Sequence, residues 1–130
     1  MICNVRELKP SEIERVLPLI KKLFPNADLE INEDDIFFIA EAENRIIGFL
    51  HLVEYEKYMY VKGVGVDPRY QNKGYGTALM NKIDEITYLS AKKIYLKVKA
   101  TNPAVLLYEQ SGFMMRTFGG IYTLVKKANN

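Results

Sequence analysis

The stretch of sequence that decides the fold runs from Val64 to Leu79 and reads VGVDPRYQNKGYGTAL. It begins with β-branched residues that favour an extended strand, and a proline stops that strand. After a short loop, Gly74 and Gly76 open a segment that continues to Ser90 with apolar residues at helical spacing. The pattern predicts a strand, a tight turn and an amphipathic helix.

The start of that helix suits a phosphate-bearing ligand. The first N–H groups of a helix have no partner within it, and they lie at the positive end of the helix dipole. A polyphosphate accepts several hydrogen bonds there, and glycines let its oxygens approach because no Cβ is in the way. Arg69 and Lys73 could add positive charge. The segment from Asn72 to Thr77 is therefore a candidate phosphate site.

Two common phosphate-binding patterns do not fit this stretch. The Walker pattern needs glycine-lysine followed by serine or threonine, whereas Lys73 precedes Gly74. The dinucleotide fingerprint needs a third glycine three residues after the second, and that position holds Leu79. A G-x-G turn also joins strands to helices without binding anything. From this pattern alone, a phosphate ligand and a plain turn both remain open.

Outward from this stretch, hydrophobic patterning predicts an alternation of strands and helices. The predicted strands cover residues 3–8, 37–42, 45–55, 58–66 and 93–99. A second helix is predicted from Pro103 to Ser111, with Gly112 just past its end. Residues 113–118 and 121–126 form a predicted closing hairpin around Gly119-Gly120. This order predicts a mixed α/β domain.

The segment after the first strand is predicted to be helical but interrupted. Ser11 and Glu14 have the spacing of a capping box at a helix start. Pro18 lies inside the apolar pattern that follows, which predicts a kink or two short helices, and Pro25 ends the segment. The acidic residues from Asp28 to Asp35 predict an exposed loop.

Composition narrows the class of protein. The chain has 130 residues, of which 48% are hydrophobic, so we expect one folded domain over residues 1–130. A net charge of +2 indicates no nucleic-acid-binding surface. Cys3 is the single cysteine, which excludes an intrachain disulfide and fits a reducing compartment. Without a signal-peptide pattern or a bilayer-spanning apolar run, we expect a cytoplasmic protein with no membrane partner.

Two motifs follow one another at a fixed distance in this chain. The first is V-D-P at 66–68 with Q-N-K-G-Y-G at 71–76, and the second is A-V-L-L-Y-E-Q-S-G-F at 104–113. They resemble motifs A and B of the GNAT acetyltransferases, in the family's order, with one predicted helix and one strand between them. The resemblance implies a central mixed, mostly antiparallel sheet with a parallel, splayed strand pair and flanking helices.

The resemblance also implies an activity. A GNAT protein transfers the acetyl group of acetyl-CoA to a primary amine by direct attack in a ternary complex, and it needs no metal. The pantetheine arm would lie between the splayed strands, and a strand backbone N–H would meet the acetyl carbonyl. Tyr108 is implied as the general acid that protonates the departing thiolate. The residues implied to bind the cofactor are Val64, Gly65, Val66, Gln71, Asn72, Lys73, Gly74, Tyr75, Gly76, Thr77 and Asn102.

The sequence departs from the family pattern at two places. The family's asparagine, seven residues before the tyrosine, is replaced by Thr101, so Asn102 either reaches the cofactor or only caps the helix. Some members carry a glutamate base on the fifth strand, and here that place holds Leu96 or Lys97. A base of that type is therefore absent.

Other titratable residues have both a functional and a structural interpretation. Glu54, Glu56 and Tyr60 could act as a base or contact the acceptor, and each could equally be a solvated side chain. His51 is the only histidine and is expected to be structural, because one histidine cannot make a metal site. The acidic loop could attract a cationic amine or could only be a soluble surface.

Two further functions stay open beside the acetyltransferase. The chain could be a catalytically silent acyl-CoA-binding sensor or interaction module with the same fold. It could also be a nucleotide-binding α/β domain that uses the same helix terminus. The family often forms dimers, so a homodimer is one expected assembly.

Overall fold

The described residues form one seven-stranded mixed sheet with helices on both faces. The computed structural model describes residues 3–27, 30–102, 104–117 and 120–127. The strands are β1 (Val5–Glu7), β2 (Asp35–Ala42), β3 (Arg45–Glu54), β4 (Tyr58–Val66), β5 (Lys93–Lys99), β6 (Met114–Thr117) and β7 (Ile121–Lys126). The helices are α1 (Leu17–Leu23), α2 (Tyr75–Ser90) and α3 (Ala104–Gln110), with 3-10 helices at Pro10–Arg15 and Pro68–Tyr70.

These bounds confirm the predicted order of elements and the mixed α/β fold. The turn at Glu43-Asn44 has two positive φ angles, 53° and 63°, as a tight hairpin turn requires. Three predictions lie outside the described residues: the helix start at Pro103, the Phe118-Gly119 part of the closing hairpin, and Asp28 of the acidic loop.

The sheet has the strand order β1-β2-β3-β4-β5-β7-β6. Its neighbouring strands are antiparallel except β4 and β5, which are parallel. The parallel ladder pairs Tyr58 with Lys93 and ends where Val61 pairs with Leu96. Beyond that point β4 still pairs with β3 up to Val66, and β5 still pairs with β7 up to Lys99. The two parallel strands therefore separate while each keeps its other neighbour.

A bulge in β4 sets which side chains face the gap between the separated strands. His51 of β3 pairs with Gly63, whereas Leu52 pairs with Val61, so Lys62 is an extra residue. After this bulge, Val64 packs against the core beneath α2. Because of this extra residue, the in-and-out alternation of side chains shifts by one position, so Met59 and Val61 before the bulge and Val64 and Val66 after it all point to the same core.

Each face of the sheet has its own core. On one face, α2 and α3 cover β3, β4 and β5, where the largest cluster of buried side chains includes Leu50, Leu79, Ile83 and Leu96. On the other face, α1 and the first 3-10 helix cover β2 and β3. The side chains of β5 alternate between the two faces of the sheet. Ile94, Leu96 and Val98 are buried in the core, and the residues between them are more exposed.

The first helical segment is divided as its proline predicts, but its start differs from the prediction. A 3-10 helix begins at Pro10, and α1 follows with Pro18 in its first turn. The predicted capping box of Ser11 and Glu14 is wrong. Glu12 instead accepts a hydrogen bond from the Lys9 N–H at 3.2 Å, and its own N–H donates to the Lys9 carbonyl at 2.8 Å.

An ion-pair network explains why Glu12 takes that place. Arg6 on β1 binds Glu12 at 2.9 Å and Glu41 on β2 at 2.7 Å, and Arg15 binds the same two carboxylates. Hydrogen bonds from Arg6, then from the Lys9 N–H, hold the pKa of Glu12 at about 2. The network ties the first helical turn to the edge of the sheet.

The acidic segment also differs from its prediction at one end. Asp35 begins β2, and its carboxylate lies 2.6 Å from His51 Nε2 on β3. Burial, which outweighs Asp35, lowers the pKa of His51. The His51 ring stacks on Phe37 with ring centroids 4.0 Å apart. Asp35 is therefore part of the sheet rather than of the loop, and His51 packs within the sheet as expected of a structural residue.

The ion-pair network predicts acid sensitivity that depends on Glu12. Its pKa is lowered from 4.5 to about 2 on folding, so its stabilising contribution is present above pH 4.5 and is lost as the pH falls towards 2. We expect Glu12→Gln to be less stable than the wild type at pH 7 and equal to it near pH 2. Urea unfolding across this pH range measures the difference.

The matched control is Glu14→Gln, which changes an exposed carboxylate in the same 3-10 helix. It should lose little stability at any pH. If Glu14→Gln lost as much as Glu12→Gln, the network would not be what stabilises this segment.

Candidate active site

The turn between β4 and α2 exposes a row of backbone N–H groups. Gly74 precedes the helix with φ 95°, and Asn72 also has a positive φ of 61°. The first helical hydrogen bond of α2 is donated by Ala78 to the Gly74 carbonyl. Among the described residues, none accepts a hydrogen bond from the N–H groups of residues 72–77. These donors therefore remain available to a ligand.

A cavity of about 520 Å³ lies against this turn. The separated end of β4, the start of α2 and one side of α3 form its walls. It is lined by Val64, Gly65, Val66, Gln71, Asn72, Gly74, Gly76, Thr77, Asn102, Ala104, Leu107 and Tyr108. The structure thus brings together ten of the twelve residues that the sequence singled out.

The two remaining candidates have side chains elsewhere. Tyr75 is buried beside Ala40 and Ile47, so only its backbone N–H belongs to the turn. The Lys73 ammonium lies 5.5 Å from the centre of the Tyr70 ring. Both residues stay in the turn through their backbone.

Two amides on the cavity wall stabilise the protein itself. The Gln71 side chain donates to the Val66 carbonyl at 3.0 Å, which ties the loop to the end of β4. Asn102 accepts a hydrogen bond from the Ala104 N–H at 2.9 Å, so it caps the start of α3. Asn102 therefore has the capping role and also lines the cavity.

Gly76 is a glycine that the fold does not require. A Cβ built on it meets nothing within 4 Å, and its φ is not positive. A glycine costs helix stability relative to alanine. Since the open space beside Gly76 is the cavity, a residue without a Cβ here fits a ligand that approaches the backbone closely.

Tyr108 is fixed by the way α3 ends. Gly112 has φ 93°, the Phe113 N–H donates to the Tyr108 carbonyl, and the Gly112 N–H donates to the Glu109 carbonyl, each at 3.1 Å. These paired bonds form a Schellman motif. The Tyr108 and Phe113 rings meet edge to face with centroids 6.0 Å apart.

A buried lysine anchors the same helix end. Lys126 of β7 donates to the Ser111 carbonyl and pairs with Asp84 of α2. Its ammonium also lies 5.7 Å from the centre of the Phe113 ring. The end of α3 is therefore held against both the sheet and α2, which restricts the position of Tyr108.

Tyr108 lines the cavity, and its hydroxyl keeps its proton. The residue is 8% exposed, and its hydroxyl has no hydrogen bond to any residue in the part of the chain that the structure describes. Burial raises the pKa of Tyr108 above its usual value of 10. The hydroxyl is therefore protonated at neutral pH and available to donate.

A family model confirms what this geometry indicates. The model for the acetyltransferase (GNAT) family matches residues 5–113, which is most of the chain. The protein is a GNAT acetyltransferase family member. No curated protein matches this GNAT chain by sequence.

Solved structures share the fold at low sequence identity. NAA60 from Arabidopsis thaliana in complex with a bisubstrate analogue has a TM-score of 0.78 at 22% identity, covering 98% of this chain and 99% of that one. Ard1 from Thermoplasma volcanium has a TM-score of 0.81 at 19% identity, with full coverage of both. PaiA N-acetyltransferase from Thermoplasma acidophilum with coenzyme A has a TM-score of 0.76 at 19% identity, covering 98% and 99%.

Some wall residues of the GNAT site were not singled out from the sequence. Ala104 and Leu107 line the cavity beside Tyr108. Ala104 lies three residues before Leu107 and four before Tyr108, so it shares a helix face with both, which is the signal that identifies this wall.

The candidate bases of this GNAT protein lie apart from the cavity. Glu54 pairs with Lys92 at 3.2 Å at the far end of β3. Tyr60 and Lys97 line a separate recess on the other side of the sheet. Burial, and then Tyr55, raise the pKa of Tyr60, so its hydroxyl is protonated at neutral pH.

The described residues lack two features of other classes of protein, a membrane-spanning helix and a metal-binding cluster. None of the helices that the structure describes is long and apolar enough to cross a membrane. Within the same residues, no group of three or more His, Cys, Asp or Glu side chains could hold a metal ion.

Substitution of Gly76 separates binding from folding. We expect Gly76→Glu to weaken coenzyme A binding at least about 100-fold, because the side chain fills the cavity and its charge repels a pyrophosphate. Gly76→Ala should weaken binding less, and it should leave the free energy of unfolding unchanged or raise it by up to about 1 kcal/mol. Calorimetric titration and urea unfolding measure the two effects.

The control is Gly120→Glu, since a Cβ at Gly120 also meets nothing within 4 Å but lies outside the cavity. It should bind coenzyme A like the wild type. Wild-type affinity in Gly76→Glu would exclude this cavity as the cofactor site.

Proposed function

We propose that the protein is an acetyl-CoA-dependent N-acetyltransferase that acts on a primary amine. The observation that carries the proposal is that one cavity is lined both by Tyr108 and by the turn at residues 72–77, whose N–H groups donate to none of the described residues. Family membership supplies the acetyltransferase class. That PaiA was solved in complex with coenzyme A supports the choice of cosubstrate.

The separated strands give the cosubstrate a path. The pyrophosphate binds the N–H groups at the start of α2, and the pantetheine arm runs along the end of β4, where β5 no longer pairs. The backbone of Val64 and the N–H of Val66 then bind the arm in place of a neighbouring strand, while the Val66 carbonyl keeps its bond to Gln71. This arrangement brings the thioester to the point where the strands separate.

The reaction needs a neutral amine and an acid. The amine nitrogen attacks the acetyl carbonyl carbon, a C–N bond forms, and a backbone N–H of β4 stabilises the negative charge on the carbonyl oxygen. The C–S bond breaks, and the thiolate takes the proton of Tyr108. The nitrogen releases a proton to solvent, and the tyrosinate recovers one from solvent, so the protein returns to its starting state.

The direct test of activity is a screen of amino acids, polyamines and peptides for acetyl-CoA-dependent release of free thiol. Turnover with any amine supports the proposal. If acetyl-CoA raised the melting temperature but no amine was acetylated, the protein would be a silent acyl-CoA-binding module. Stabilisation by ATP or NAD but not by acetyl-CoA would indicate a nucleotide-binding domain.

Tyr108→Phe tests the general acid. We expect kcat to fall roughly 100-fold because the thiolate loses its proton donor, while the affinity for acetyl-CoA is unchanged. The melting temperature should change little, since the hydroxyl bonds to none of the described residues. Steady-state thiol release and calorimetry give the three values.

Tyr88→Phe is the matched control, because Tyr88 is 75% exposed on α2. Its kcat should equal that of the wild type. An undiminished kcat in Tyr108→Phe would remove Tyr108 from the mechanism.

A further inference from the structure

A second recess lies on the other side of the sheet from the cofactor cavity. It has a volume of about 450 Å³, and we call it the tyrosine recess. It is lined by Tyr55, Tyr58, Tyr60, Tyr95, Lys97 and Thr123. No residue of the proposed catalytic machinery is part of its wall, so its function has to be argued from its position and its chemistry.

The alternation of β5 places the recess opposite the cofactor side. Leu96 and Val98 are buried in the core beneath α2 and α3. Tyr95 and Lys97 therefore project to the other face. Met59 and Val61 of β4 belong to the same core, which gives Tyr60 the same opposite orientation.

The recess lies beside the point where the strands separate. Tyr60 pairs with Tyr95 one step before the parallel ladder ends, and Lys97 is the first residue of β5 beyond its end at Leu96. The thioester is expected at this same point. An acceptor held there would approach the acetyl group from the side of the sheet opposite the cavity, next to the gap between β4 and β5.

The walls suit an apolar or aromatic body. The Tyr55 and Tyr58 rings stack with centroids 4.9 Å apart, and Tyr58 meets Tyr95 edge to face at 5.6 Å. Such rings bury apolar surface and offer faces for stacking. Tyr60 keeps its proton, so its hydroxyl can donate a hydrogen bond to an anionic group.

The charge of the recess is positive. Among the described residues that line the recess, only Lys97 is charged. Lys97 forms no ion pair with any residue in the described part of the chain. The acidic residues Glu30, Glu33 and Asp34 do not line it. A polyamine would therefore meet an uncompensated positive charge here.

A lysine at this point favours a particular kind of acceptor. It can form a charge-assisted hydrogen bond to a carboxylate. It also lowers the pKa of an amine held close to it, which increases the neutral fraction that can attack the thioester.

We infer that the tyrosine recess is the acceptor site and that Lys97 selects amines that carry a carboxylate, such as apolar and aromatic α-amino acids. This inference rests on the proposed N-acetyltransferase function. The tyrosines hold the apolar body of the acceptor, Lys97 holds its carboxylate, and the amine faces the gap between the strands.

The test compares acids with their amides. The probes are L-phenylalanine and L-leucine against L-phenylalaninamide and L-leucinamide, with spermidine as a cationic acceptor. We expect the wild type to prefer the acids by roughly tenfold in kcat/KM, and in affinity for the coenzyme A-saturated protein. Lys97→Met should abolish the preference, and Lys97→Arg should restore most of it.

Lys93→Met is the matched control, since Lys93 is exposed on the same strand and face but does not line the recess. It should keep the wild-type preference. Calorimetric titration of the acids and amides gives a readout that does not need turnover.

The outcomes distinguish this inference from the proposed function. Binding of the acids that depends on Lys97, without turnover of any amine, supports carboxylate recognition by Lys97 but contradicts the N-acetyltransferase function, and with it the role of the recess as an acceptor site. Turnover in which amides or spermidine do as well as the acids, or in which Lys97→Met keeps the preference, overturns the inference and leaves the enzyme function intact. No binding of the acids to the coenzyme A-saturated protein overturns it as well.

Discussion

Backbone N–H groups that donate to none of the described residues line the cavity at the start of α2, and the rest of the structure is arranged around that constraint. The parallel ladder ends at Val61 and Leu96, so β4 has no strand neighbour on one side beyond that pair. The N–H groups of residues 72–77 likewise donate to none of the described residues. Backbone donors and acceptors withdrawn from water need partners. A ligand with an amide-bearing arm and a pyrophosphate supplies hydrogen-bond partners both for the end of β4 and for the N–H groups at the start of α2.

The second half of the chain completes the site with a side chain. The Schellman motif at Gly112 and the buried Lys126 fix the end of α3, which holds Tyr108 on the cavity wall. Helix α1 and the ion pairs of Glu12 cover the opposite face without entering the cavity. Tyr108 itself belongs to the core beneath α2 and α3, so the packing that stabilises this face of the sheet also positions the proposed acid.

Most helices, strands and turns could be predicted from the sequence because a few adjacent residues specify each of them. The turn at Glu43-Asn44, the division at Pro18 and the helix end at Gly112 each depend on a few adjacent residues. The capping box was misplaced because Glu12 is drawn by Arg6 and Glu41, which are distant in sequence. The insertion of β7 between β5 and β6 also depends on tertiary packing.

The site, like the fold, could be predicted only where a local motif specifies it. Motif residues identified the cavity, while the tyrosine recess depends on the register of β4 with β5 and β7, which no local pattern specifies. The central claim is that a pyrophosphate lies on the start of α2, and a crystal structure of the coenzyme A complex tests it most directly. The account predicts pyrophosphate oxygens within about 3.2 Å of N–H groups between Asn72 and Thr77. Pyrophosphate bound elsewhere, with those N–H groups facing water or the protein interior, would contradict it.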